Sequence, residues 1–241
     1  MADDAVKLVV AYDNRTLVEG LEPDWGFACA VTRGADTLLF DTGAKPGILK
    51  ANLAALGFDS SGFDAVVISH DHWDHNGGLE AALGDRHGRC WLPASASEEL
   101  VARVTAAGAE PVPVSGRLEL LPGIWTTGEI AGNPAEQALV VETADGPVVV
   151  TGCAHPGVVS ICRVVGEQFG MAPALVIGGF HLREPGPEQG RVASAELKEL
   201  GVARVGPSHC TGADAQAVFA EEWGERCERV GCGWTGEWEA R

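Results

Sequence analysis

Between residues 70 and 75 the chain reads His-Asp-His-Trp-Asp-His, directly after the apolar run Val66-Val67-Ile68. Four of these side chains, His70, His72, Asp74 and His75, are strong metal donors, and only seven histidines occur in 241 residues. Three of them within six positions do not fit a surface loop rich in histidine by accident. Neutral imidazole nitrogen and carboxylate oxygen suit zinc and, less selectively, iron or manganese. A loop leaving a strand can turn His70 and His72 toward one point while Asp74 and His75 reach a second point nearby, the layout of a two-metal site. Asn76-Gly77-Gly78 then lets the chain turn sharply into a helix.

The rest of the chain repeats this grammar of apolar strand, glycine turn and polar residue. Glycine makes up 32 of the residues, nearly twice its usual share of about 7%, without forming a low-complexity tract. Strands are expected over 7–12, 27–32 and 37–40, the last two joined by a hairpin turn at Gly34-Ala35-Asp36. A helix over 46–56 has Pro46 in its first turn and Gly57 at its end. The strand 65–69 enters the histidine window. Further strands follow near 90–92, 112, 118 and 124, with a helix over 97–107. Later, 138–142 and 147–151 flank the turn Ala144-Asp145-Gly146 and deliver Cys153 and His155. The strand 175–177 leads to Gly178-Gly179-Phe180-His181, and 203–205 leads to Gly206-Pro207-Ser208-His209. Helices are expected near 194–200 and 213–222. Strands ending in polar loops, with helices between, point to two packed sheets covered by helices on the outside. There is no short-period repeat, no charge block and no linker longer than the Pro/Gly-rich stretch 184–190, so residues 1–241 are expected to form one domain.

Charge narrows the partners. With 34 acidic against 17 basic residues the formal charge is −17, which argues against a nucleic-acid binder, since phosphate contacts rely on clustered Lys and Arg, and against an anionic membrane surface. No run of about 18 uncharged apolar residues is present to span a bilayer. The seven cysteines are odd in number and scattered, which suits a reducing compartment, so a cytoplasmic location is expected.

The segment Ser69-His70-Asp71-His72-Trp73-Asp74-His75-Asn76-Gly77-Gly78 resembles the HxHxDH motif of the metallo-β-lactamase superfamily, and Leu39-Phe40-Asp41-Thr42-Gly43 resembles its strand-end DTG. Within it, TGCAHPG at 151–157, GGFHL at 178–182 and HCTG at 209–212 are similar to the branch described as dihydropteroate-synthase-like or methanopterin-pathway-related hydrolases. The likeness spans almost the whole chain. It implies an α/β protein with an αββα sandwich and a dinuclear centre at one edge. Carried over by position, His70 and His72 hold the first metal, Asp74 and His75 the second, and His209 completes the second.

Three positions depart from that pattern, one of them Trp25, which stands where the branch often has a histidine before the glycine at 26. The superfamily takes a third ligand for the first metal from a histidine in a glycine turn, but Thr127-Gly128-Glu129 has none, and His155 becomes the candidate for the missing nitrogen. Cys153 stands where a strand-end aspartate would bridge the metals; it is either a thiolate ligand or a small buried residue. His181 has three open roles: metal ligand, hydrogen-bond donor to substrate, or structural histidine. Asp41 is expected to accept from the free nitrogen of a ligating histidine. Asn14 resembles a feature of the branch near the site, with an ordinary turn as its alternative. Trp73 either walls the pocket or packs the loop. Trp25, Trp223, Trp234 and Trp238 are expected in packing roles, and His87 at the surface.

The expected activity is hydrolysis by metal-activated water of a small ester, lactone or phosphate, with two divalent ions as cofactors, zinc ahead of iron or manganese. Asp74 would orient the hydroxide, and His181 would donate a proton or hydrogen bond to the oxyanion. The alternatives are a pterin-linked phosphate synthase, a di-iron redox enzyme and a catalytically silent metal binder. The partner is a small-molecule substrate, and the oligomeric state is open.

Overall fold

The computed structural model describes residues 5–84, 88–183 and 187–241; His87 lies outside them. The first half contributes β1 (Ala5–Tyr12), β2 (Ala28–Arg33), β3 (Asp36–Phe40), α1 (Pro46–Ala55), β4 (Ala65–Val67), α2 (Trp73–Asn76), α3 (Leu79–Leu83), β5 (Arg89–Pro93), α4 (Glu98–Ala106) and β6 (Glu110–Val114). The second half adds β7 (Leu118–Leu121), β8 (Ile124–Thr126), β9 (Leu139–Thr143), β10 (Gly146–Thr151), α5 (Val158–Phe169), β11 (Leu175–Gly179), α6 (Pro187–Glu199), β12 (Arg204–Ser208), α7 (Ala213–Trp223) and β13 (Thr235–Glu239).

These strands form a seven-stranded sheet, ordered β13-β1-β2-β3-β4-β5-β6, and a six-stranded sheet, ordered β12-β11-β10-β9-β8-β7. Within the first, β3 through β6 are parallel; within the second, β10, β11 and β12 are parallel. Strands buried on both faces read as unbroken apolar runs, and the two-residue period sorts their side chains. Leu38 and Phe40 of β3, Val148 and Val150 of β10, and Leu175 and Ile177 of β11 fill the layer between the sheets. Leu39 packs beneath α1 and α3, while Val149 and Val176 pack beneath α5, α6 and α7. The result is the αββα sandwich. The outer strand β6 carries Pro111 and Pro113, which lack the N–H a further strand would need.

Four elements differ from the sequence expectation, the first being α2, where Trp73–Asn76 of the expected loop make a helical turn. Residues 158–169 form α5, where no helix was expected: Val158, Ile161, Cys162 and Val165 bury one helical stripe. Its valine-rich sequence favours strand locally, and packing on the sheet overrides that preference. Helix α6 starts at Pro187 rather than near 194, and β13 pairs back onto β1, with Lys7 opposite Glu237. No helix among the described residues is long and apolar enough to cross a membrane.

One buried polar side chain ties α1 to the rim of the sandwich. Asn52 donates to the carbonyls of Ala11 and Glu22, both at 2.9 Å, and accepts from the Glu22 N–H at 2.9 Å. Removing it leaves those backbone groups unpaired. Asn52→Ala is therefore expected to cost about 2–3 kcal/mol, read as a lower urea midpoint with an unchanged m value. A loss below about 0.5 kcal/mol would show that the 20–26 loop is held by other contacts.

Candidate metal centre

The parallel strands deliver their C-terminal ends to one edge of the sandwich. There four non-glycine residues adopt left-handed backbone: Asp41 (φ 59°), Ala154 (φ 61°), His181 (φ 53°) and His209 (φ 45°). Asp41 and His209 directly follow β3 and β12, while Ala154 and His181 lie within three residues of the ends of β10 and β11. Such conformations cost of order 1–3 kcal/mol each and persist where the surroundings enforce them. The histidine loop lies against the 42–44 stretch so closely that a Cβ on Gly78 would stand 2.3 Å from the Thr42 carbonyl oxygen. Thr42 secures this contact by donating from its N–H and its hydroxyl to the His75 carbonyl, at 2.8 and 3.0 Å. Gln137 joins the two sheets beneath the site, donating from its amide to the carbonyls of Ile68 and Trp91.

Three imidazoles are oriented by groups behind them. His75 Nδ1 donates to Asp41 Oδ2 at 2.7 Å, His209 Nδ1 donates to Asn14 Oδ1 at 3.0 Å, and His70 Nδ1 donates to Ser69 Oγ at 2.9 Å. The Ser69 hydroxyl in turn donates to Asp41 Oδ2 at 2.7 Å. Each arrangement turns Nε2 toward the common space, the orientation a metal-ligating histidine requires. There His75 Nε2 meets His209 Nε2 at 3.2 Å and Cys153 Sγ at 3.2 Å, and His70 Nε2 meets His72 Nδ1 at 3.0 Å. The buried Nε2 of His155 has no hydrogen-bond partner among the described residues. Facing imidazole lone pairs repel unless a proton or a cation lies between them, so this donor set fits metal ions.

Electrostatics supports the same fit. Burial, reinforced by neighbouring imidazoles, holds His70 well below its ordinary value and lowers His155 to about 3, which keeps both neutral near pH 7. Burial also lowers His72. For His75 burial pulls downward, but the Asp41 carboxylate outweighs it and carries the ring up to about 9; a proton on its Nε2 occupies the place a cation would take. Burial pushes Asp74 up, yet its hydrogen bond with His209 and the charge of His75 hold it below the usual carboxylate range. Between the two thiols nearby, contact with Cys210 and then burial raise Cys153. Cys210 is raised by burial but held well below its ordinary value by Cys153 and His181.

The structure gathers the residues singled out from sequence into tight donor groups. Asp74, His75, Cys153 and His209 form one, and His70, Cys153 and His155 another, with ligand atoms within 4.8 Å of one another in each. His72 stands beside the second group, its ring 4.8 Å from that of His155. A third group joins Cys153 to His181 and Cys210. The groups open into a cleft of about 380 Å³ that Trp25, Trp73 and Arg183 help to line. Trp73 is 64% exposed, so it walls the cleft and does not pack the loop. Trp25 packs on His209 at 5.3 Å with the Arg183 guanidinium over its ring, whereas Trp223 and Trp234 are buried. A wider hollow of about 800 Å³ around Arg89, Trp91 and Glu110 contains no histidine or cysteine among its described lining.

This fold and this cluster define a protein built to place metal donors at the edge of an αββα sandwich. The chain belongs to the metallo-beta-lactamase superfamily, whose family model matches residues 26–209. It is 28% identical to 7,8-dihydropterin-6-methyl-4-(beta-D-ribofuranosyl)-aminobenzene-5'-phosphate synthase of Methanocaldococcus jannaschii, over 81% of this chain and 82% of the relative. Its structure is similar to that of Tm1679, described as a metal-dependent hydrolase of the beta-lactamase superfamily, with a TM-score of 0.82, 27% identity, and 97% and 99% of the two chains covered. The metallo-beta-lactamase fold protein YhfI of Bacillus subtilis shares the fold at a TM-score of 0.72 and 17% identity, over 97% and 99% of the chains.

Glu136 carries no signal in the sequence. Its fully buried carboxylate accepts from four consecutive backbone N–H groups, those of Gly152, Cys153, Ala154 and His155, at 2.8–3.1 Å. Burial pushes the carboxyl up to about 7 against the pull of those donors. A lone glutamate in a loop announces none of this, because its partners lie 16–19 residues downstream. Glu136 thereby shapes the turn that presents Cys153 and His155. Glu136→Ala, which orphans four buried donors, is expected to lose about 3–5 kcal/mol, and Glu136→Gln, which keeps one acceptor oxygen, about 2 kcal/mol. Urea unfolding of both variants checks the order; losses below about 1 kcal/mol in both would show that the turn is held without the carboxylate.

Proposed function

We propose that the chain is a metal-dependent hydrolase that uses activated water on a small ester, lactone or phosphate-type substrate. The observation that carries this reading is that two donor groups share one sulfur: Asp74, His75 and His209 group with Cys153, and so do His70 and His155. In this reading His70, His72 and His155 would hold one cation and Asp74, His75 and His209 the other, with Cys153 a donor common to both groups. Zinc suits this mixture of imidazole, carboxylate and thiolate, with iron and manganese as alternatives. Two such ions supply a water of lowered pKa and positive charge where an oxyanion develops.

The protein's own groups do the rest. Asp74, ionised and with Oδ2 3.4 Å from His209 Nε2, accepts a hydrogen bond from the attacking water and fixes its direction. His181 is exposed, its ring 4.3 Å from that of His155, and its contact with Cys210 raises its proton affinity against the effect of burial. It can donate a hydrogen bond to the substrate oxygen or a proton to the leaving group. Asp41, Ser69 and Asn14 keep the imidazoles aimed. Seven free cysteines are compatible with a reducing, cytoplasmic setting.

A second reading is a synthase acting on a pterin-linked phosphate. It is favoured by the likeness to the Methanocaldococcus jannaschii enzyme over about four fifths of both chains. One set of assays separates the readings. Purified protein is expected to hold about two transition ions per chain by elemental analysis, and to hydrolyse members of a lactone and phosphodiester panel. His72→Ala is expected to lower that turnover at least about 100-fold, as does a chelator. Full turnover in His72→Ala would overturn the hydrolase, and metal-replete protein inert on the panel that joins a dihydropterin phosphate ester to an arylamine, the amine nitrogen replacing the ester oxygen with release of phosphate, would establish the synthase.

A further inference from the structure

We infer that Cys153, Cys210 and His181 form an additional cation position at the mouth of the cleft, suited to a thiophilic divalent ion such as zinc or cadmium. Their ligand atoms lie within 4.8 Å of one another, both thiols are buried, and His181 is exposed, so the position is walled on the inside and open to solvent through one ligand. Two sulfurs and an imidazole are three of the four ligands of a tetrahedral soft-metal site and leave one place for water.

The backbone is shaped to bring these groups together. A Cβ on Gly179 would stand 2.6 Å from Cys210 Sγ, 3.0 Å from Cys153 Cα and 2.5 Å from the Gly152 carbonyl oxygen. Only a glycine at the end of β11 lets the loops after β10 and β12 close over it. The left-handed backbone of His181 then follows two residues later. Neither Cys210 nor this grouping belongs to the two histidine-rich groups, apart from the shared Cys153. A formal charge of −17 enriches cations near the chain.

An ion held there engages His181 and stands in the cleft. In so far as the proposed hydrolase uses His181, this makes the position inhibitory; the binding itself does not depend on that reading.

The test uses protein loaded with zinc and dialysed, then titrated with cadmium while bound zinc and cadmium are counted and sulfur-to-cadmium charge-transfer absorption is followed. The wild type is expected to take one further equivalent with thiolate absorption while retaining its zinc. Cys210→Ala is expected to lose that equivalent. His181→Asn, a residue that tolerates left-handed backbone, is expected to weaken it about tenfold or more, while Cys90→Ala, a buried thiol beneath α4, keeps it. Circular dichroism establishes that each variant is folded. Unchanged stoichiometry and absorption in Cys210→Ala would overturn the proposal, as would absence of the extra equivalent from zinc-loaded wild type. So would a Cys153–Cys210 disulfide in protein purified without reductant. A wild type that binds no transition ion at all would remove the proposed function as well.

Discussion

The whole site depends on a backbone manoeuvre at the ends of parallel strands. Asp41, Ala154, His181 and His209 turn left-handed where β-structure stops, and each turn aims a side chain or a loop at the same small volume. At about 1–3 kcal/mol per residue, this strain is substantial beside the 5–15 kcal/mol by which domains are stable. It is offset locally. The Asp41 N–H donates to the Val67 carbonyl at 2.8 Å, and its carboxylate accepts from the Ser69 N–H at 2.7 Å. After His209, the Thr211 N–H closes a turn onto the Ser208 carbonyl at 2.9 Å. The apolar layer between the sheets supplies the rigidity against which these turns hold, since Phe40, Val67, Val150 and Ile177 lie in that layer close behind the strand ends.

What could be read from sequence follows from distance along the chain. The window from His70 to His75 is legible because its spacing is local and follows an apolar strand. His155, Cys153, His181 and His209 are legible because each follows a strand with glycine nearby, and the structure does gather them. Glu136 was invisible because its meaning lies in four N–H groups of another loop. Cys210 carries no distinct signal beside the more conspicuous His209. Helix α5 was hidden by valines, whose local preference is strand, and only the faces of the sheet show that 158, 161, 162 and 165 belong to one stripe. Strand β13 has no strong signal of its own, with Thr, Gly and Glu in five residues, and depends on the free edge of β1.

The departure at residue 153 changes the character of the centre. A carboxylate offers two hard oxygens, whereas Cys153 offers one polarisable sulfur shared by all three donor groups. That sulfur lies 3.2 Å from His75 Nε2 on a turn fixed by the Glu136 carboxylate. A second sulfur, that of Cys210, lies alongside across Gly179. Substituting sulfur for oxygen biases such a site toward zinc and other thiophilic ions and away from manganese.

Charge balance leads to the same demand for cations by an independent route. Asp41, Asp74 and Glu136 are 0–6% exposed, and buried carboxylates are stable only with compensating charge and hydrogen bonds. Among the described residues, the ion pairs they make are all with imidazoles: His75 for Asp41, His75 and His209 for Asp74, and His70 at 4.0 Å for Glu136. His70 is held neutral by its burial, so it brings no positive charge. Of the long cations nearby, Arg103 clamps Asn76 and Glu80 on the outer side of the histidine loop, and Arg183 lies over the Trp25 ring at the cleft. Of the two thiols, Cys210 is the one held toward its ionised form, and ionising it deepens the deficit. A cluster with this many buried anions, few protonated imidazoles and free nitrogen lone pairs turned inward is stabilised most by divalent cations at its centre.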